Sequence, residues 1–320
     1  MNNKSRLLTL LNIFIKYTDE NHLLSMQEII SMLEEDNFYV SRKAIYDDIK
    51  TLRDNGYDIQ IIKGSTMKYH LLNHSLDLVE AKLLYDFIQS TNFLTSKKSS
   101  EISDKILNNI STYQKESIIK TSRKNNSSLT SGHSLYIFND LQYAISNNYM
   151  VSFKYFDITL NKKKKYRKEE KIYVLLPYAL VLIQQRYYCI FYSKEHNSFS
   201  NYRLDKIDNL SIDKVVHEKI PFDIEEHLSK SFNMFAGKPE NITIEFDNEL
   251  LNVVMDQFGL DLMILDSNEK TFTINLTTTI SDNFLSWITQ FKTKAKIKDP
   301  KNIVARYKEH LLELINHYSN

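Results

Sequence analysis

Apolar residues recur at helical spacing in three successive stretches at the start of the chain. Residues 5–18 place Leu7, Leu8, Leu11, Phe14 and Ile15 on one face, and residues 25–35 place Met26, Ile29, Ile30 and Leu33 on another. Ser25 and Glu28 are spaced as a capping box at the start of the second stretch. The third begins at Ser41, a favourable N-cap, and carries Ala44, Ile45, Ile49 and Leu52 as its apolar stripe. Arg42, Lys43, Tyr46, Asp47 and Lys50 fall outside that stripe, and Gly56 sits where a left-handed residue ends a helix. The period then changes. Ile59 and Ile61, then Met67, Tyr69 and Leu71, alternate around residues 63–66, which predicts a β-hairpin. Three helices closed by a hairpin predict a winged helix-turn-helix over residues 1–73. Such a domain offers its third helix to a DNA major groove and its hairpin to the backbone. Ser41, Arg42, Lys43, Tyr46 and Lys50 are then the groove residues, and Lys63 and Lys68 the wing residues.

Helical spacing resumes at residues 77–88 and again at 101–113, with residues 96–100 between them expected as a loop. Residues 76–120 are therefore a helical connector. Residues 121–133 have no period and predict a linker. After a helix over 134–147, short apolar runs at 150–156, 171–183, 186–192 and 199–204 predict closely spaced strands and a small barrel over 134–217. Pro177 predicts a break or bend within the second run. Residues 221–240 are a second connector. The last unit, 240–320, mixes strands with helices, one of them carrying the only tryptophan, Trp287. Asp299 and Pro300 predict the start of its final helix. The fold class is α+β.

Composition narrows the function. The 320 residues carry a formal net charge of +1, 42% hydrophobic and 25% charged side chains, which is ordinary for a globular chain. No apolar run is long enough for a bilayer and no signal peptide is evident, so a cytoplasmic location without membrane contact is expected. A single cysteine, Cys189, excludes an internal disulfide framework, and five glycines leave little for a phosphate-cradling loop. The nine histidines show no ligand spacing. Neither a metal, a cofactor nor a catalytic constellation is expected, and the chain does not read as an enzyme. Residues 1–73 hold nine Lys/Arg against ten Asp/Glu. Any DNA contact must come from a local patch, residues 42–53 and the wing, rather than from net charge. Residues 162–168 are the densest basic run. They suit either nucleic-acid phosphates or a solvated loop.

The middle of the chain resembles the WYL domain family, on Tyr155, Pro177, residues 186–189 (Arg-Tyr-Tyr-Cys) and residues 202–207 (Tyr-Arg-Leu-Asp-Lys-Ile). Tyr187 stands where that family has its name-giving tryptophan, Cys189 where it has leucine, and Lys206 where it usually has a second arginine. The resemblance implies a small Sm-like β-barrel between a winged helix-turn-helix and a C-terminal extension of the WCX type. It also implies a dimeric transcriptional regulator whose barrel senses a single-stranded nucleic acid or nucleotide. Tyr155, Tyr188, Arg203 and Lys206 are the pocket positions that carry over, with Tyr178 added from its place alone. Lysine cannot fork onto a phosphate as arginine does.

The residues themselves leave two readings of that pocket open. If the strands at 186–192 and 199–204 pair in register, Tyr188 and Arg203 stand together and can read base and phosphate. Alternatively Arg203 pairs with Asp205 or Asp208 and the tyrosines pack the barrel. The expected partners are an operator in double-stranded DNA, a nucleotide or oligonucleotide effector, and a second copy of the chain, because one recognition helix reads too few base pairs to select a genomic site. A nucleic-acid-binding module without regulation, accessory to an enzyme partner, is the alternative function.

Overall fold

A computed structural model describes residues 3–122, 132–232, 234 and 239–319, which divide near residue 135 into two compact units. Of the two expected linkers, residues 123–131 of the first and 233 and 235–238 of the second lie outside the described residues.

The first unit opens with α1 (Asn3–Tyr17), β1 (Leu24–Ser25), α2 (Met26–Glu35), α3 (Arg42–Asp54), β2 (Ile59–Ile62) and β3 (Lys68–Leu71). Leu10, Phe14, Ile29, Leu33, Ile45, Ile49 and Leu52 from the three helices meet Ile59, Tyr69 and Leu71 from the hairpin in one core. The capping box forms as the spacing requires. Glu28 N–H donates to Ser25 Oγ (3.3 Å), and Ser25 N–H donates to the Glu28 carboxylate (2.7 Å). Two-residue β1 pairs with β3, so the sheet has three strands in the order β1-β3-β2. A strand that short has no period to announce it. Toward the hairpin tip Ile61, Ile62 and Met67 are exposed, because the tip extends past the helices that cover its base.

The connector follows as α4 (Leu78–Ser90), α5 (Ser96–Leu107) and α6 (Thr112–Thr121). Residues 96–100, expected as a loop, are the first turns of α5. Thr95 caps them, its hydroxyl accepting from Lys98 N–H (3.2 Å), and their polar side chains leave no apolar stripe to read. Residues 101–113 are likewise not one helix, since α6 restarts at its own capping box, formed by Ser111 and Gln114. Ser111 also donates to the buried Asp19 carboxylate, and the Tyr113 ring stacks on His22 at 3.7 Å. These contacts fasten α6 to the corner after α1.

The second unit begins with α7 (His133–Asn147), then β4 (Tyr149–Ile158), β5 (Lys164–Tyr166), β6 (Tyr173–Ile183), β7 (Arg186–Ser193), β8 (Ser198–Arg203) and β9 (Ile207–Val216). The sheet runs β5-β4-β6-β7-β8, and β9 also pairs with β4. No ladder joins β8 to β9 among the described residues, so the expected closed barrel is a curled, half-open sheet. Of residues 171–183, Tyr173–Ile183 form one long strand that absorbs Pro177 in a register shift between Pro177 and Ala179, which spares the ladder a missing donor. Part of the basic run, expected as a loop, is β5, paired with the end of β4.

After α8 (Ile224–Ser229) come β10 (Pro239–Asp247), α9 (Leu251–Phe258), β11 (Ile264–Ser267), β12 (Thr271–Thr279), α10 (Asp282–Thr289), β13 (Ala295–Asp299) and α11 (Lys301–Tyr318). The order β11-β12-β10-β13, antiparallel throughout, is that of a split β-α-β-β-α-β unit with an added helix. Ile242, Ile244, Phe246, Phe272 and Ile274 from the sheet pack with Val254, Phe284, Leu285, Ile288 and Ile303 from the helices. The final helix starts one residue later than expected, with Pro300 extended and flanking it.

Candidate nucleic-acid interface and ligand site

Two clusters of cations stand out, one in each unit. The first lies on α3. Ser41 caps it, accepting from Ala44 N–H (3.4 Å), and Gly56 ends it at φ +93°, where any β-carbon would be strained. Burying Ile45, Ile49 and Leu52 turns Arg42, Lys43, Tyr46, Asp47, Lys50 and Arg53 outward. Arg42, Lys43, Lys50 and Arg53 make no ion pair among the described residues, and neither does Lys63 in the hairpin. Lys68, also in the hairpin, lies within electrostatic reach of Glu28. Tyr46 reaches the hairpin through Tyr69, whose burial and contact with Tyr46 push its phenol up to about 12. One acid of α3 faces inward. Asp48 takes a two-pronged bond from Arg6 of α1 (2.6 and 2.9 Å), which locks α1 against α3.

The second cluster lies where β4, β7 and β8 meet. Tyr188 pairs with Arg203 in the ladder, so the condition set by the sequence is met and the two share a face. The guanidinium of Arg203 is nonetheless engaged. Nε and Nη2 fork onto Asp205 (3.0 and 2.6 Å), and Arg186 approaches the same carboxylate at 3.6 Å. Lys206 binds Asp157 (2.6 Å), which Arg167 also forks (2.6 and 3.0 Å). Tyr155 joins the two groups. Its hydroxyl accepts from Arg203 N–H (3.2 Å), and the Arg167 guanidinium lies 5.0 Å from its ring centre. Burial pushes the Tyr155 phenol up to about 12, so it stays neutral. The Arg167 fork, with Lys206 beside it, holds the Asp157 carboxyl well below the usual range.

The site thus gathers Tyr155, Tyr188, Arg203 and Lys206 but not Tyr178. That ring packs against Tyr192, Phe199 and Phe222, and its hydroxyl accepts from Ile220 N–H (2.8 Å). Its position in the β6 register shift, invisible in the sequence, is what separates it from the others. Arg167 and Arg186 belong to the cluster and were missed. Arg167 was masked by the basic run around it, although its place three residues past the start of a strand paired to β4 brings it to Asp157. Of its neighbours, Lys164 and Tyr166 bind Asp208 (2.7 and 2.6 Å). Four cations around Asp157 and Asp205 leave an excess of positive charge.

A further cavity, about 290 Å³, lies in the first unit between Asp19, His22, His74, Asp77 and Tyr113. His74 of this lining approaches the Thr18 carbonyl (3.0 Å), while His70, four residues before it, lies buried against the Asp19 carbonyl (3.2 Å). No group of side chains suited to a metal ion is found among the described residues, nor any helix long and apolar enough to cross a membrane.

Residues 136–212 match the family model of the WYL domain, so the segment from α7 through β9 carries a WYL domain. No curated protein matches the chain. Several solved structures resemble it, two of which follow. One is proteasome accessory factor B/C (PafBC) of Arthrobacter aurescens, 14% identical, with 99% of this chain covering 49% of that one at a TM-score of 0.31. The other is a CRISPR Cas-related protein, 10% identical, with 99% of this chain covering 84% of that one at a TM-score of 0.37. The chain spans about half the length of PafBC.

Proposed function

We propose that the chain is a DNA-binding transcriptional regulator that answers to a phosphate-bearing nucleic-acid ligand. In this reading residues 1–73 are a winged helix-turn-helix. α3 enters the major groove with Ser41, Arg42, Lys43, Tyr46 and Lys50, and the wing sets Lys63 and Lys68 on the backbone. The observation that carries the reading is the exposed face of α3, whose four cations have no ion-pair partner among the described residues and stand beside a projecting hairpin. Free cations can replace the condensed counterions of DNA without first breaking a protein ion pair. Asp47 on the same face limits this, since a carboxylate there can only accept from a base donor such as cytosine N4.

The WYL segment is the sensor, with Tyr188 as stacking ring and Arg203 and Lys206 as phosphate ligands once they leave Asp205 and Asp157. The active species is a homodimer. Val79, Leu83 and Phe87 form an exposed apolar stripe on α4, one turn apart, which supports self-association through that helix.

Selection of genomic fragments on the purified full chain tests the reading. The recovered sites should be inverted or spaced repeats, with half-sites about 34 Å or a multiple apart. On such a site Arg42→Ala with Lys43→Ala should cost about 1–3 kcal/mol for each base pair no longer read. Recovery of no common sequence, or unchanged affinity of the double variant at fixed salt, would overturn it.

A further inference from the structure

The face of β7 and β8 that carries Tyr188 and Arg203 does not end there. The ladder pairs Tyr188 with Arg203, Ile190 with Asn201 and Tyr192 with Phe199, so these six side chains share one surface. Asn201 lies two residues from Arg203, about 7 Å along the strand. That is the reach from the phosphate of a nucleotide to its base.

The chain crosses this surface itself. After β9, residues 219–229 run back over it as a strap. Phe222 lays its ring on Phe199, with centroids 4.2 Å apart and planes 31° apart. His227 Nε2 lies 2.9 Å from Asn201 Oδ1, and its ring is 5.4 Å from that of Phe222. Burial lowers the His227 pKa, so the imidazole is neutral and donates one N–H, as a base amine would.

The strap rests on the sheet through Phe222 and Leu228, which pack against Ala179, Ile190 and Met234, but α8 is only six residues long and none of them is fully buried. Its downstream end is anchored. The Lys230 carbonyl accepts from Thr279 N–H (2.9 Å) and Thr279 Oγ1 (3.0 Å), and Phe232 is buried in the core of the β10–β13 sheet and its helices.

We propose that Phe199 and Asn201 form a nucleobase subsite, now filled by the chain's own Phe222 and His227. A stacked ring and a ring N–H on the amide are two contacts that one adenine supplies together. Phe199 takes its face, and the Asn201 amide takes N6 and N7. A nucleotide entering here displaces the strap, and the displacement is felt where the strap is anchored beside β12. The inference rests on the reading of Arg203 as the phosphate end of the same site.

Calorimetric titration of the full chain tests it with adenosine, which lacks the phosphate, and with ribose 5-phosphate, which lacks the base. Phe222→Ala with His227→Ala should bind adenosine about tenfold more tightly than wild type, the affinity a mostly closed strap withholds. Adding Asn201→Ala should remove the gain. Ribose 5-phosphate should bind all three alike, and only while Arg203 is present. A gain for adenosine without any ribose 5-phosphate binding supports the base subsite and overturns the phosphate reading. Arg203-dependent ribose 5-phosphate binding without an adenosine gain does the reverse. Should the double variant fail to fold, hydrogen exchange on the unaltered chain decides. Millimolar AMP should speed exchange over residues 224–229, and unchanged exchange there would overturn the proposal.

Discussion

The cations of α3 and those of the WYL segment are of the same kind and are held in opposite ways. Arg42, Lys43, Lys50 and Arg53 project from a helix with no ion pair among the described residues, while Arg167, Arg186, Arg203 and Lys206 each lie on Asp157 or Asp205. The difference sets what each group can bind. An unpaired cation is available to any polyanion, so its contribution is general and salt-dependent. A cation already on a carboxylate yields only to a ligand that replaces that bond, and so discriminates. A third arrangement sits between them. Arg6 and Asp48 are paired and largely buried, and tie α1 to α3.

The largest effect is expected at that third pair. Asp48→Ala leaves the largely buried Arg6 guanidinium without its carboxylate, holding only the Asn3 side chain (3.2 Å), and should destabilise the first unit by about 3 kcal/mol. Urea unfolding followed by circular dichroism measures it. Replacing both Arg6 and Asp48 with apolar residues should restore much of the loss, and a double variant no better than the single would show that the cost lies elsewhere.

A smaller effect distinguishes the two cation groups. Arg203→Ala should leave operator affinity without ligand near wild type while abolishing the response to ligand, a coupling on the order of 1–3 kcal/mol. Operator titrations with and without a short oligonucleotide read both quantities. A full response in the variant would move the sensor away from β8.

The smallest effect concerns pH. Asp157 has a depressed folded pKa, caused first by the Arg167 fork. The stability it contributes is therefore complete above the unfolded value of about 4 and is lost only as pH falls through the lower folded value. Lys206 and Arg167 should remain paired at a pH where ordinary carboxylates are half protonated. NMR of the Asp157 carboxyl carbon tests this, and a midpoint in the ordinary range would mean that the cluster is open in solution.

Much of this arrangement was legible in the sequence, unevenly and for physical reasons. α2 and α3 announce themselves by caps and an apolar stripe, so Ser25, Ser41 and Gly56 stand where expected. A period of two put Tyr188 and Arg203 together only on the condition of one register, and that is the register the ladder adopts. What escaped detection was set by tertiary contact. The first turns of α5 have a cap but no stripe, two-residue β1 exists only because β3 offers it an edge, and the register shift at Pro177 carries Tyr178 away from the site. Arg167 reaches Asp157 across a strand pair that the charge of its neighbours concealed. The Arg203–Asp205 fork was one of two readings the residues allowed, and it is the one found.

The contrast between free and paired cations is tested most directly by the salt dependence of DNA binding. Affinity for one selected site is measured across a series of salt concentrations for wild type, for Lys50→Ala with Lys63→Ala, and for Arg203→Ala with Lys206→Ala. If the unpaired cations contact phosphate, the first variant should flatten the slope of log K against log salt by about 1 for each phosphate no longer neutralised. The second variant should leave the slope at its wild-type value. A slope changed by the second variant and not by the first would contradict the account.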